Sequence, residues 1–420
     1  MTWLDRLHHP EYYIKTFLKW AFLSVSMGII GGLLGAAFHH ALHFVTHVRA
    51  ENQWLIFLLP VGGLMTVAIY RILKMPKNRG TNEIIDAILQ KKPVGSPVAP
   101  AVFLASAITH LFGGSAGREG AALQIGGSVA SKLGNLLRLK DHNRTILITC
   151  GMSAVFAGLF GTPLTAMLFC MEFESVGTLF TPALLPCYLS AFVASQVSAA
   201  LGVHAEVYIL DTAVALNIAT VGSAVVLAIL VSGLGIAMCH FFHAAEHLAA
   251  RHLPNSWLRI AIGGAVVTAL TLLVGDQRFN GAGMDMAMQA LGGEADWYSF
   301  LLKMLFTAVT LAAGFKGGEI VPTFCIGATF GCVIGGLLGL DPGIAAALGL
   351  IGLFCCATNS PLASIVLSVE MFGGANLYLF ALMCVICFVL SGTSGLYSSQ
   401  IIKYEKVDRY LSKARSEETL

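Results

Sequence analysis

The chain has 420 residues, 56% of them hydrophobic and only 11% charged, with a formal net charge of +2 and a mean hydropathy of +0.77. Soluble domains carry about 25% charged residues, so the composition excludes an ordinary soluble enzyme and indicates an integral membrane protein of many helices. No basic patch suggests nucleic acid, and at about 20 residues per crossing the length leaves room for about ten or more membrane segments.

Residues 1–20 contain Arg6, Lys15 and Lys19 without a signal-peptide cleavage pattern, which predicts a cytoplasmic N-terminal helix. His40, His43 and His47 follow at i, i+3, i+7, one face of a helix. Basic clusters at 71–79, 138–144 and 403–415 mark candidate cytoplasmic ends.

The most informative segment is Gly113-Gly114-Ser115-Ala116-Gly117-Arg118-Glu119-Gly120, between two strongly apolar stretches. An ionisable group in a bilayer is expensive unless it lines a cavity, pairs or titrates. Adjacent residues do not face each other on a helix, so Arg118 and Glu119 are no ordinary surface ion pair. Glycines on both sides suit a chain that breaks its helix and presents bare backbone N–H groups at a helix N-terminus, an arrangement that binds anions. Glu119 would compete with the anion for those donors. Arg118 is expected to hold the loop by donating to carbonyls.

The stretch 146–171 contains no charged residue. It carries Phe156-x6-Pro163-Leu164-x7-Glu172, which returns 198 positions later as Phe354-x6-Pro361-Leu362-x7-Glu370. Ile125-Gly126 follows the first glycine loop as Ile326-Gly327 follows a second, Gly314-Phe315-Lys316-Gly317-Gly318-Glu319-Ile320-Val321-Pro322. The three histidines recur as His240, His243 and His247, with Glu246 beside them. The chain is therefore two homologous halves: residues 21–205 and 206–402, followed by a cytoplasmic tail at 403–420. Transporters built this way place their substrate near the bilayer midplane, where broken helices from both halves converge, so the two glycine loops are expected to meet. Glu172 and Glu370, at equivalent places, read as helix-end carboxylates that cap nearby backbone. The histidine pattern follows from the repeat and fits an interfacial helix end, so no metal and no cofactor is assigned. The ten cysteines, including Cys384 and Cys387 on a wholly apolar stretch, read as small core residues.

These residues resemble the CLC anion channels and anion/proton antiporters over nearly the whole chain. Gly117-Arg118-Glu119-Gly120-Ala121 is similar to the family's GREGP loop, Gly318-Glu319-Ile320-Val321-Pro322 to its GxFxP loop, and Tyr397 stands where the family has its late pore tyrosine. Where chloride-selective members carry GSGIP, this chain has Gly80-Thr81-Asn82-Glu83-Ile84. Glu319 and Ile320 replace apolar and phenylalanine positions, and Phe173 replaces the inner proton-accepting acid of chloride exchangers. These departures look like the fluoride/proton antiporter branch. The resemblance implies an all-α membrane protein of two inverted-topology repeats, with tilted and broken helices around a midplane anion pore. It also implies a multi-pass protein of the cell's inner membrane and a homodimer with one pore per subunit. The expected partners are then fluoride (or chloride), protons and the lipid bilayer.

The expected gating and proton residues are Glu119 and Glu319. Glu319 is expected to compensate for the missing acid at 173, or else to stabilise its loop by accepting backbone N–H bonds. The expected anion ligands are Thr81, Asn82, Gly120, Ala121, Ile320 and Tyr397, as hydroxyl, amide, phenol or backbone donors. Gly117, Gly318 and Arg118 support the loops, and Lys316 adds positive potential near a pore mouth or faces water. A chloride/proton exchanger or passive anion channel of the same fold is the alternative. A metal-dependent membrane enzyme lacks any HExxH or nucleophile arrangement, and a mere scaffold leaves Arg118 and the loop glutamates unexplained.

Overall fold

A computed structural model describes residues 10–75, 79–208, 210, 214–403 and 406. The cytoplasmic assignments expected for residues 1–9 and for the tail, apart from 403 and Lys406, lie outside the described residues. Among the described residues, sixteen α-helices fall into two runs of eight. The first comprises α1 (Pro10–Glu51), α2 (Leu59–Ile72), α3 (Thr81–Leu89), α4 (Val98–Leu111), α5 (Glu119–Leu136), α6 (Asp141–Phe160), α7 (Pro163–Glu172) and α8 (Leu184–Ala200). The second comprises α9 (Ile218–His252), α10 (Ser256–Val274), α11 (Met284–Leu291), α12 (Ser299–Ala313), α13 (Ile320–Leu337), α14 (Pro342–Thr358), α15 (Pro361–Phe372) and α16 (Leu377–Leu390). The repeat seen in the sequence thus recurs as the same order of long and short helices. Helix α1 runs through residue 20 without a break. A two-residue parallel ladder, β1 (Ser175–Val176) with β2 (Ile401–Ile402), ties the end of α7 to the chain beyond α16.

Among the described residues, seven helical segments have the length and apolarity to cross a membrane, and six further apolar helices have 10–17 residues. The sequence estimate of ten or more crossings counted apolar stretches, whereas the chain divides several of them into partial spans. Helix α7, with 10 residues, reaches about 15 Å, half of a roughly 30 Å hydrocarbon core. Partial spans survive in a bilayer only where protein surrounds their ends. Among the full-length spans, α6 is 89% buried inside the protein over its apolar window, while α10, on the periphery, is 28% buried.

The helix breaks are written locally. Helix α6 ends on Gly161 (φ 72°) and α14 on Asn359 (φ 58°), both left-handed, and Pro163 and Pro361 then start α7 and α15. A left-handed residue ends a helix by turning its chain aside, and proline at the first helical position needs no N–H partner. The orphan donors of these two starts are filled from the opposite half. Glu172, at the end of α7, accepts from Leu362 N (3.2 Å) and Ala363 N (2.9 Å) of α15. Glu370, near the end of α15, accepts from Leu164 N (3.0 Å) and Thr165 N (2.8 Å) of α7. Each half caps the other with the same residue, the capping role expected of both. All ten cysteines are buried and free.

Replacing Glu172 or Glu370 with Ala leaves two helix-start N–H groups without their acceptors. Each variant is expected to lose about 1–3 kcal/mol of stability, read as a lower midpoint of thermal unfolding in detergent; wild-type midpoints would contradict the capping role.

Candidate functional site

Two glycines create the site by ending helices. Gly114 and its neighbours follow α4 after Gly113 (φ 83°), and the second loop follows α12 after Gly314 (φ 102°). Both loops run extended and meet. Gly117 N donates to Gly318 O (2.6 Å) and Gly318 N to Gly117 O (2.7 Å), an antiparallel bridge between the halves. Helix α5 then starts at Glu119, and α13 starts at Ile320. Their N-termini, each with unsatisfied N–H groups and partial positive charge, point to one place.

The Glu119 side chain fills that place. It is 0% exposed, and its Oε2 accepts from Arg118 N (3.1 Å) and from Val321 N (3.2 Å) across the interface. Its Oε1 is buried without a hydrogen-bond partner among the described residues. The loops must be bare to admit it. A Cβ on Gly318 would stand 2.6 Å from Glu119 Oε2 and 2.8 Å from Gly120 N.

The expected anion ligands are distributed around this carboxylate. Gly120 and Ala121 lie in the first turn of α5, and Ile320 opens α13. The N–H that reaches Glu119 from α13, however, belongs to Val321, one position beyond Ile320. Thr81 is the first residue of α3, and its Oγ1 lies 2.8 Å from where a Cβ on Gly120 would stand. Gln124 of α5 donates to Gly120 O (3.0 Å) and reaches Thr81 Oγ1 (3.5 Å). Asn82 turns its carbonyl Oδ1 to Ser399 N (3.0 Å), which directs its amide nitrogen away from Ser399. Thr81, Asn82, Gln124, Glu319 and Tyr397 all line one vestibule of about 340 Å³.

Glu319 is the residue before α13, the place Arg118 holds before α5. No hydrogen bond ties its carboxyl group to backbone N–H among the described residues; the side chain lines the vestibule with His243, Glu246, Arg259 and Lys316. The loop-stabilising alternative therefore has no contact to support it. Lys316 lies over the Tyr70 ring, 4.8 Å from its centroid. Phe173 is fully buried and packs edge-on against Tyr397 at 4.8 Å and against Phe169 at 5.2 Å. Phe169, Phe173 and Tyr397 form an aromatic column there.

Arg118 departs from expectation. It donates to the Glu206 carboxylate rather than to loop carbonyls, approaches His39 Nδ1 at 3.4 Å and lies over the Phe160 ring at 5.1 Å. The connection between the halves carries the acid back to the first loop. Glu206 was missed, although it is the only charged residue between Glu174 and Asp211. Lys303 was also missed. It is fully buried in α12, and its Nζ donates to Ser115 Oγ (3.0 Å), Phe279 O (3.1 Å) and Gly281 O (2.8 Å). Its signal was a lone lysine in an apolar helix. The histidines separate into tethers: His40 Nε2 meets Leu201 O and His243 Nε2 meets Gly395 O, each at 2.9 Å.

Gly318→Ala is expected to push the Glu119 carboxylate from its seat or part the loops, lowering stability by about 1–3 kcal/mol as overpacking does. An unfolding midpoint equal to wild type would show that the loops are looser than this geometry.

The sequence pattern of the voltage gated chloride channel family matches residues 61–392. A chloride/fluoride channel protein of Pseudomonas syringae pv. tomato is 36% identical over 418 residues, 97% of this chain and 92% of that one. An H(+)/Cl(-) exchange transporter of Vibrio cholerae serotype O1 is 25% identical over 419 residues, covering 91% and 89%. The crystal structure of a CLC-type fluoride/proton antiporter superposes with a TM-score of 0.89 at 32% identity, covering 92% of this chain and 98% of that one.

Proposed function

The chain belongs to the voltage-gated chloride channel (CLC) family of membrane transporters and channels, and we propose that within it the protein exchanges fluoride for protons, exporting fluoride from a microbial cytoplasm. The observation that carries this reading is the Glu119 carboxylate, buried where two helix N-termini meet and hydrogen-bonded to both. An ionised carboxylate and a halide are rivals for the same donors. Protonation of Glu119 removes the charge that holds it there, so the side chain leaves and the anion enters. Anion movement and proton movement are then tied to one side chain.

Fluoride is small and strongly hydrated, so its site must supply strong donors in place of water. Backbone N–H of the two helix starts, the Thr81 hydroxyl, the Asn82 amide and the Tyr397 phenol are the donors available around Glu119 and the vestibule. Gly120, Ala121 and Ile320 contribute first-turn backbone. Glu319 is the second proton carrier in this reading. An acid is absent at 173, where rings pack closely, and Glu319 instead faces the open vestibule. The family likeness to a fluoride/proton antiporter supports fluoride over chloride.

In this reading the vestibule, with Arg79 and Arg259 on its wall, faces the cytoplasm in keeping with the positive-inside rule, and the Arg118–Glu206 pair lies toward the outer side. In this reading the protein is a multi-pass protein of the inner membrane and a homodimer. Large apolar side chains on α7, α8, α15 and α16, among them Leu164, Tyr188, Phe192, Leu362 and Val385, are exposed in the single subunit and would form the contact through shape matching within lipid.

In liposomes, wild-type protein is expected to drive fluoride against its gradient when a proton gradient is imposed, and to move fluoride well ahead of chloride. A fluoride-to-chloride flux ratio near one would overturn the fluoride assignment. Glu119→Gln is expected to abolish proton-driven uptake while leaving a passive anion leak. Because protonation frees the path, wild-type exchange should quicken as pH falls, and the glutamine variant should lose that dependence. Retained proton coupling in the variant would sink the mechanism. Glu319→Ala should lower turnover or alter the fluoride-to-proton ratio, and wild-type values for both would remove Glu319 from the transport path.

A further inference from the structure

A second cavity, of about 110 Å³, lies between α2 and α10 beside the second glycine loop; Tyr70, Arg71, Met75, Ser256, Arg259 and Lys316 line it. Three cations converge there. Among the described residues no carboxylate lies within ion-pair distance of Arg71, Arg259 or Lys316. The Arg259 Nε and the Tyr70 hydroxyl are both buried without a hydrogen-bond partner, and Tyr70 is only 5% exposed. Unpaired buried polar groups are costly and call for a partner. Ser256 opens α10, so the positive end of that helix faces the same place.

The surroundings identify the partner. Ile72 (77% exposed) and Leu258 (51% exposed), the sequence neighbours of the lining residues Arg71 and Arg259, are open at the surface, and the Arg71 guanidinium lies over the Trp257 ring at 5.5 Å. Exposed aliphatic side chains belong in acyl chains, and a tryptophan beside arginine belongs at the headgroup level. A cavity below the roughly 300 Å³ at which small-molecule pockets begin admits a phosphate group and excludes a nucleotide. Basic pockets between membrane helices on the cytoplasmic side recognise lipid headgroups.

We propose that the crevice between α2 and α10 binds the phosphate of an anionic phospholipid, held by Arg71, Arg259 and Lys316 with the Tyr70 hydroxyl donating to a phosphate oxygen. Arg259 and Lys316 also line the vestibule, so the lipid phosphate sits beside the cytoplasmic anion entrance and lowers its positive charge.

The test is binding by the full-length protein in neutral detergent, which needs no transport and so stands or falls apart from the fluoride reading. Phosphatidylglycerol, phosphatidylcholine and inorganic phosphate are titrated against the thermal unfolding midpoint, with bound lipid counted by native mass spectrometry. Phosphatidylglycerol is expected to bind and raise the midpoint, and the other two are not. Removing a basic side chain near a headgroup weakens binding about fivefold, so Arg71→Gln with Arg259→Gln should weaken phosphatidylglycerol about 25-fold. Lys132→Gln, on the exposed face of α5, should change nothing. If the double variant fails to fold, Tyr70→Phe removes one hydroxyl and should weaken binding severalfold. Equal response to the two lipids, unchanged affinity in the variants, or an equal effect of inorganic phosphate would each overturn the proposal.

Discussion

Two helices that begin face to face in a dry interior impose the condition the rest of the molecule meets. Each start leaves several N–H groups unpaired and carries about half a positive charge. Locked together by the Gly117–Gly318 bridge, α5 and α13 require something negative between them. The Glu119 carboxyl group occupies that place in this structure, and its seat exists because no Cβ stands at Gly318. Ser115 on the same loop is held by Thr307 Oγ1 (3.0 Å) and by Lys303, which braces the loop from behind with a buried ammonium.

The same condition is answered differently one layer away. Helices α7 and α15 also begin with orphan N–H groups, and fixed carboxylates from the opposite half fill their first turns. Glu172 and Glu370 have two backbone donors each, so nothing favours their release. Glu119 shares its two donors through one oxygen and leaves the other oxygen unpaired. A fully satisfied carboxylate is architecture, and a half-satisfied one in the same kind of place is what the proposed exchange with an anion requires.

Symmetry of backbone does not extend to chemistry. Arg118 and Glu319 hold equivalent positions before α5 and α13, yet one is paired with Glu206 and the other borders an open vestibule. The duplicated histidines diverge too, His40 fastening the end of α8 and His243 fastening the turn at Gly395. A repeat builds the cavity, and its unequal loops give the two sides different charges.

The sequence alone determined the membrane class, the two halves and the two glycine loops, because apolar runs, proline starts and glycine breaks act within a few residues. Glu119 and Glu319 stood out for the same reason: an acid in an apolar setting is conspicuous wherever the chain folds. What the linear pattern left open is partnership across distance. Val321 rather than Ile320 reaches Glu119, Glu206 rather than loop carbonyls receives Arg118, and Glu370 caps a helix some two hundred residues away. These depend on which face of a helix the packing turns inward and on where the halves dock. Only the tertiary structure decided them, because hydrogen bonds between halves are set by ångström-scale placement of whole helices and not by the identity of neighbouring residues.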